Sequence, residues 1–163
     1  MLKIRPVSDE DCRLLWEWVN EPQGRVFAFN PETVSWEEHQ QWFRRKRSDP
    51  SCFLFVLVDE NASPVGQVRF DMEPDNKAVI AITIGADYRG LGYGTEAIRL
   101  ICDYLRRNGS AAEAVAYIKP NNAPSIRAFQ KAGFSHQGKR LVRGQEAVWM
   151  NLQIASKGGV PCQ

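Results

Sequence analysis

The segment Tyr88-Arg89-Gly90-Leu91-Gly92-Tyr93-Gly94-Thr95 constrains this chain more than any other. It lies between an apolar strand pattern over 78–84 and an amphipathic helix pattern over 96–107. Glycine permits positive φ and lets backbone amides approach a ligand with no Cβ in the way. A helix N-terminus adds amides without intrahelical partners and a partial positive charge. Together these make a seat for a phosphate or similar anion. Arg89 can add a charge-assisted bond to the same anion. The plain alternative is a tight turn with no ligand, and three glycines in five positions argue against it. Two other anion motifs compete. A P-loop ends in Gly-Lys-Ser/Thr, whereas Gly94 is followed by Thr95 and Glu96. A dinucleotide fingerprint forced from Gly92, Gly94 and Ala97 should open an early βαβ unit with an acid at the end of the next strand. Here the turn follows an antiparallel pattern, and Glu113 precedes the next strand.

Around that turn the chain reads as one domain. Leu2 to Val7 alternates as a strand. Ser8 is an N-cap signal, and Leu14, Leu15, Trp18 and Val19 give the next helix an apolar face that Pro22 and Gly24 are expected to end. Ser35-Trp36-Glu37-Glu38 is a capping box that opens a helix to about Arg47. Cys52 to Val58, Val65 to Phe70 and Ala78 to Ile84 read as a meander of three strands, with polar turns at 59–64 and 71–77. Gly109 stops the helix after the glycine turn, Ala114 to Ile118 is a strand, and Ser125 to Ala132 is a short helix closed by Gly133. Phe134 onward and Ala147 to Ile154 read as a closing strand pair. The predicted order is β-α-α-β-β-β-α-β-α-β-β. This is an α+β domain over 1–156, with a mixed, mostly antiparallel sheet of about seven strands and four helices. The tail 157–163 is expected to be disordered.

Bulk properties exclude several function classes. With 163 residues, 44% hydrophobic and 25% charged, the chain can bury a sizeable core. A net charge of +2 gives no nucleic-acid stripe. The cluster Arg44-Arg45-Lys46-Arg47 reads first as a solvated helix end, and second as a patch for an anionic substrate. Cys12, Cys52, Cys102 and Cys162 form no C-x-x-C pair and, with only His39 and His136, assemble no metal site. Such thiols fit a reducing cytoplasm. No apolar run approaches the roughly 18 residues of a membrane span, so no membrane partner is expected.

The turn resembles the hallmark of the GNAT superfamily of N-acetyltransferases, Arg/Gln-x-x-Gly-x-Gly/Ala, through Arg89, Gly92 and Gly94. A second family signature, Asn-x-x-Ser/Ala-x-x-x-Tyr-x-x-x-Gly-Phe, is matched by Asn122, Ser125, Gly133 and Phe134, with Phe129 in place of the tyrosine. The resemblance implies acetyl-CoA as co-substrate and no metal. Its pantetheine arm would pair with the strand at Ile82, Thr83 and Ile84. Its pyrophosphate would take amides from Arg89, Gly90, Leu91, Gly92, Tyr93, Gly94 and Thr95. Asn122 would bond the arm, and Ser125 and Phe129 would line its path. Asn122, Ser125 and Gly133 equally suit plain helix capping.

The reaction so implied is direct acetyl transfer. A neutral amine attacks the thioester carbonyl, an oxyanion forms and the coenzyme thiolate leaves. The family tyrosine that protonates this thiolate is absent, and Tyr88, Tyr93 and Tyr117 are the available substitutes. For the base, Thr83 stands where some relatives carry glutamate, which leaves His39, Asp71 and Glu73 as candidates. Trp36, His39 and Arg69 are candidate substrate contacts, while Trp16, Trp18 and Trp42 read mainly as core. The segments 14–20, 35–43 and 66–71 resemble enzymes that acetylate 4-amino groups of nucleotide-linked deoxyamino sugars in pseudaminic-acid-type pathways. Val19 stands in place of that branch's arginine. This resemblance implies a small-molecule amine, a UDP-linked amino sugar, as acceptor. Two alternatives remain open: a ribosomal-protein-type N-terminal peptide acetyltransferase, and a non-catalytic acyl-CoA sensor. Monomer and homodimer are both compatible with the chain.

Overall fold

The computed structural model describes residues 1–154. The expected tail 157–163 lies outside the described residues. The strands are β1 (Lys3–Pro6), β2 (Cys52–Val58), β3 (Pro64–Glu73), β4 (Lys77–Ile84), β5 (Glu113–Ile118), β6 (Ser135–Val142) and β7 (Gln145–Gln153). The helices are α1 (Cys12–Val19), α2 (Pro22–Arg25), α3 (Trp36–Ser48), α4 (Tyr93–Asn108) and α5 (Ala123–Lys131). One seven-stranded sheet runs β1-β2-β3-β4-β5-β7-β6. All neighbours are antiparallel except β4 and β5. This is the α+β architecture that the sequence predicts.

Side-chain alternation sorts the sheet into two faces. Phe55, Leu57, Val68, Phe70, Ala78, Ile80, Ala114, Ala116 and Ile118 meet Ala97, Ile98, Ile101 and Leu105 of α4 in the main core. Phe129 and Phe134 belong to the same core. Leu54, Val56 and Val58 point the other way and meet Leu15 of α1 and Phe43 of α3. Strand β2 is therefore covered on both faces, which is why Cys52-Phe53-Leu54-Phe55-Val56-Leu57-Val58 is a continuous apolar run. The second helix layer covers only the first strands. Over β4, β5 and β7 the same face carries Thr83, Tyr117 and Asn151, all half-buried.

Four element boundaries differ from expectation, each for a local reason. A fifth helix appears where Pro22 and Gly24 were expected to end the first. Pro22 opens α2 instead, because proline is tolerated in a first turn, and the Glu21 carboxylate accepts from the amides of Gln23 and Gly24. Helix α4 starts at Tyr93 rather than Glu96, with Gly92 as its left-handed cap. Strand β3 continues to Glu73, which narrows the expected 71–77 turn to Pro74–Asn76. In the first helix region, Asp9–Asp11 forms a 3₁₀ turn before α1.

Candidate active site

The parallel pair in the sheet is incomplete. Strands β4 and β5 are paired only at Lys77–Glu113, Ala78–Ala114 and Val79–Val115. Beyond this, β5 stays bonded to β7 as far as Ile118–Val148, and β4 stays bonded to β3 as far as Ile84–Gly66. Residues 80–84 of β4 thus have no strand partner on the β5 side. The two strands form a wedge that is closed at Val79 and open at Ile84. Unpaired strand peptides are a template for an extended ligand. Gly66 helps shape this end of β4: a Cβ there would lie 2.4 Å from the Thr83 carbonyl oxygen.

The glycine turn stands at the open end of the wedge. A 3₁₀ turn at Ala86–Tyr88 leads to Arg89, and Gly90 and Gly92 have φ of +76° and +82°. A Cβ at either glycine would meet nothing within 4 Å, so backbone conformation rather than crowding demands them. The first α4 bond runs from Glu96 N to Gly92 O at 3.2 Å. The amides of Tyr93, Gly94 and Thr95 therefore precede the intrahelical ladder, an arrangement that suits an anion. Asn122 caps α5, its carboxamide oxygen accepting from Ser125 N at 3.3 Å. That bond leaves the Asn122 NH2 group to donate elsewhere. The residues present fit a group with a pyrophosphate and an extended arm.

Several candidate residues lie elsewhere than expected. His39 is 2% exposed and its Nε2 is 2.9 Å from the Cys12 carbonyl oxygen. The carbonyl only accepts, so Nε2 carries the proton. The ring lies between Trp36 and Trp42 in an aromatic row. Burial pushes its pKa down against the opposing effect of that bond. His39 is a packed, neutral residue between α1 and α3, away from the wedge. Phe129 is 3% exposed and packs edge-on against Phe134 at 4.9 Å, so it supports the core rather than lining an open path. Trp36 packs edge-on against Trp16 under the Arg13 guanidinium, which lies 4.8 Å from the Trp36 ring centroid.

The strand candidates separate into two groups. Asp71 accepts from Lys46 Nζ at 2.8 Å and from Arg69 Nε at 2.9 Å. Burial raises its pKa, but these cations prevail and the net direction is down. Arg69 is held in place by this bond, and its guanidinium lies 5.4 Å from the Trp42 centroid. Glu73 stays exposed, opposite Lys77 at the closed end of the wedge. Tyr88 and Tyr93 pack against the main core. Tyr117 instead faces the open sheet side, where its hydroxyl accepts from Arg140 Nη1 at 2.7 Å. Burial is the main cause of its raised pKa, and the carboxylates of Glu73 and Glu113 act in the same direction. Asn151 Nδ2 donates to Glu113 Oε1 at 2.7 Å. Tyr117–Arg140 and Asn151–Glu113 are thus two bonded pairs on this face, Tyr117 two positions past the last β4–β5 pair, with the Glu73 charge also felt at Tyr117.

Sequence reasoning missed a strap over 26–34. Asn20 clamps its end through Val34 O and Val34 N, each at 2.8 Å, and Trp16 Nε1 donates to the same carbonyl at 2.7 Å. Arg25 donates to the carbonyls of Val19, Asn30 and Glu32. Across the sheet, Gln145 Nε2 at the start of β7 donates to Phe29 O at 2.6 Å. The strap therefore reaches from α2 to β7, over the open end of the wedge. No periodic pattern marks it, and nothing local to Asn20, Arg25 or Gln145 announces these contacts.

Comparison with known proteins agrees with this geometry. Residues 1–135 match the family model of the GNAT acetyltransferase domain, and the chain belongs to that family. It is 28% identical over 149 residues to an uncharacterised protein of Methanocaldococcus jannaschii, covering 90% of this chain and 30% of that protein. It is 25% identical over 137 residues to mycothiol acetyltransferase of Corynebacterium glutamicum, covering 80% of this chain and 44% of that one. The chain thus spans less than half the length of these curated relatives. The solved complex of the aminoglycoside acetyltransferase AAC(6')-Ib with ribostamycin and coenzyme A superposes with a TM-score of 0.84 at 21% identity, covering 93% of each chain. Among the described residues, no helix is long and apolar enough to cross a membrane.

Proposed function

We propose that this chain transfers the acetyl group of acetyl-coenzyme A to the primary amine of an amino sugar. The unpaired β4 edge at 80–84, ending on a left-handed glycine turn, is the observation that carries the reading. Acetyl-coenzyme A, the co-substrate, supplies the activated thioester. The amides of 90–95 hold its pyrophosphate. The Arg89 amide donates to Ala86 O at 3.5 Å and its guanidinium is held by Glu21 and Ile84 O, so Arg89 does not reach the anion, contrary to the expectation from sequence. The edge of Ile82, Thr83 and Ile84 pairs with its arm, and the Asn122 NH2 group donates to the same arm. An arm laid along this edge brings the acetyl group to the closed end of the wedge, near the Tyr117–Arg140 pair.

Side chains there divide the proton work. Glu73, the unencumbered carboxylate of the candidates, takes the proton of the attacking amine through a water. Asp71, held by two cations, is the weaker base. Tyr117 protonates the departing thiolate. The bond from Arg140 occupies the phenol oxygen and leaves the O–H proton to be donated. Its raised pKa keeps it protonated at neutral pH.

A nucleotide-linked amino sugar is the finer reading, supported by the segments 14–20, 35–43 and 66–71 and by Arg140 stacked on Tyr117 at 5.2 Å. A polyamine is a second reading, favoured by the Glu73 and Glu113 carboxylates. The solved spermidine N-acetyltransferase of Vibrio cholerae with CoA and spermine has a TM-score of 0.82 at 19% identity, covering 93% of this chain and 95% of that one.

Thiol release from acetyl-coenzyme A tests the proposal against UDP-linked amino sugars, aminoglycosides, spermidine and N-terminal peptides. Release with the amino sugars is expected. Release with spermidine alone moves the acceptor class to polyamines. Coenzyme A binding without release from any amine overturns the enzymatic reading.

A further inference from the structure

The acceptor side and the cofactor side touch at one charged joint. Glu21 lies between α1 and α2, at the root of the strap. Its carboxylate accepts from Gln23 N at 3.1 Å and Gly24 N at 2.9 Å, which starts α2. The same carboxylate takes Arg89 Nη2 at 2.7 Å. Arg89 in turn donates Nε to Ile84 O at 3.2 Å, the last carbonyl of β4. A continuous polar chain thus runs from the α2 amides, through Glu21 and Arg89, to the end of the strand that bounds the wedge. Burial raises the Glu21 pKa, but the Arg89 bond and the two amides prevail and hold the carboxyl below its ordinary value.

The packing around the joint is close. A Cβ on Gly24 would lie 3.4 Å from Arg89 Nη2, and one on Gly85 would lie 2.9 Å from Trp18 Nε1. Helix α1 and the start of α2 therefore rest directly on the segment that leads into the glycine turn. The pair is neither deep nor fully solvated, with side chains 34% and 22% exposed. In such a setting an ion pair is modest in energy, but its geometry decides where each partner points.

We infer that Glu21 is a positioning residue: through Arg89 it ties the acceptor strap to the coenzyme A seat, so that filling the seat orders the strap. This rests on the reading of 90–95 as the coenzyme A seat. An anion held by the turn amides orders residues 90–95 and with them the Arg89 backbone, and the standing Arg89–Glu21 pair carries that order to the root of the strap. Acceptor affinity then depends on cofactor occupancy, and the coupling is reciprocal.

Glu21→Asp separates this role from plain helix capping. Aspartate is a favoured N-cap, but it is one methylene short of Arg89. Hydrogen exchange of the full chain, with and without coenzyme A, reads the coupling in two windows. In the unmodified protein coenzyme A should slow exchange both at 90–96 and at 22–34. In Glu21→Asp the first slowing should persist and the second should disappear. With a turned-over amine, the variant's acceptor KM should rise about fivefold while kcat stays within about twofold, as expected for lost ground-state positioning. Glu21→Gln, which keeps the reach but loses the charge, should show the same pattern at reduced size. Undiminished slowing of 22–34 in Glu21→Asp overturns the inference. Absence of slowing at 90–96 in the unmodified protein defeats the coenzyme A seat itself, a distinct failure.

Discussion

The two sides of the wedge are made of different material. On the cofactor side the groups offered to a ligand are backbone: the β4 edge at 80–84 and the amides of the turn, with Gly90 and Gly92 at positive φ. On the acceptor side they are side chains drawn from distant parts of the chain. Tyr117 meets Arg140 across 23 positions, and Gln145 meets Phe29 across 116. A backbone site tolerates most side-chain changes and fails when φ and ψ cannot be adopted. A side-chain site fails when one atom is removed. In the proposed function, anion capture falls to the first region and acceptor choice and proton transfer to the second.

The most severe way to break the cofactor side is to deny the turn its conformation. Gly92→Val puts a β-branched residue at φ +82°, a conformation that such residues scarcely adopt. The left-handed strain is about 1–2 kcal/mol, and escape from it would tilt the amides out of the seat. Coenzyme A affinity by calorimetry should fall about 100-fold, equivalent to about 2.7 kcal/mol. Gly109→Val is the control. Gly109 is also left-handed, at φ +60°, but it caps the far end of α4. It should lower the melting temperature by a similar amount and leave coenzyme A affinity within about twofold. Equal affinity losses in both variants would mean that general destabilisation, not the turn, accounts for the effect.

Removing one oxygen probes the acceptor side. Tyr117→Phe should lower kcat about 10- to 100-fold with the coenzyme A dissociation constant unchanged. The lower part of that range is reasonable because a thiolate is a tolerable leaving group. Since the Tyr117 pKa is raised above 10.0, the alkaline decline of kcat should have its midpoint above that value in the unmodified protein and be absent in the variant. Unchanged kcat would remove Tyr117 from the proton path and return attention to Tyr88 and Tyr93.

The same division explains what could be read from the sequence. Strand, glycines and helix are contiguous over 78–107, so local pattern alone marks an anion seat as an expectation there, and the order of strands and helices was legible apart from α2. The exchange of tyrosine for Phe129 was visible, but not that Phe134 closes over it. Glu21 was invisible as a ligand of Arg89, because nothing local to either residue announces a contact 68 positions away. His39 is the clearest case of a chemically suitable residue in the wrong place. Its helix and its intrinsic pKa both suited a base, and only the Cys12 carbonyl 27 positions earlier shows where its proton is engaged.

His39 also supplies the smallest predicted effect and the sharpest test of the division. Its folded pKa lies below the ordinary 6.5, so between those two values the unfolded chain binds more protons than the folded one. The stability it contributes is complete above about pH 6.5 and is lost as pH falls through the lower folded value. His39→Gln keeps a donor for the Cys12 carbonyl and removes the titration. Melting temperatures measured from pH 7.5 to 5 should therefore decline less steeply in the variant, while kcat at pH 7.5 stays within about twofold. Asp71 and Glu21, whose carboxyls are held below their ordinary values, contribute their acid-sensitive stability at lower pH and do not obscure this window. A large fall in kcat with an unchanged melting profile would restore His39 as a catalytic base. It would also mean that the acceptor side extends under α3, into the aromatic row that now encloses the ring.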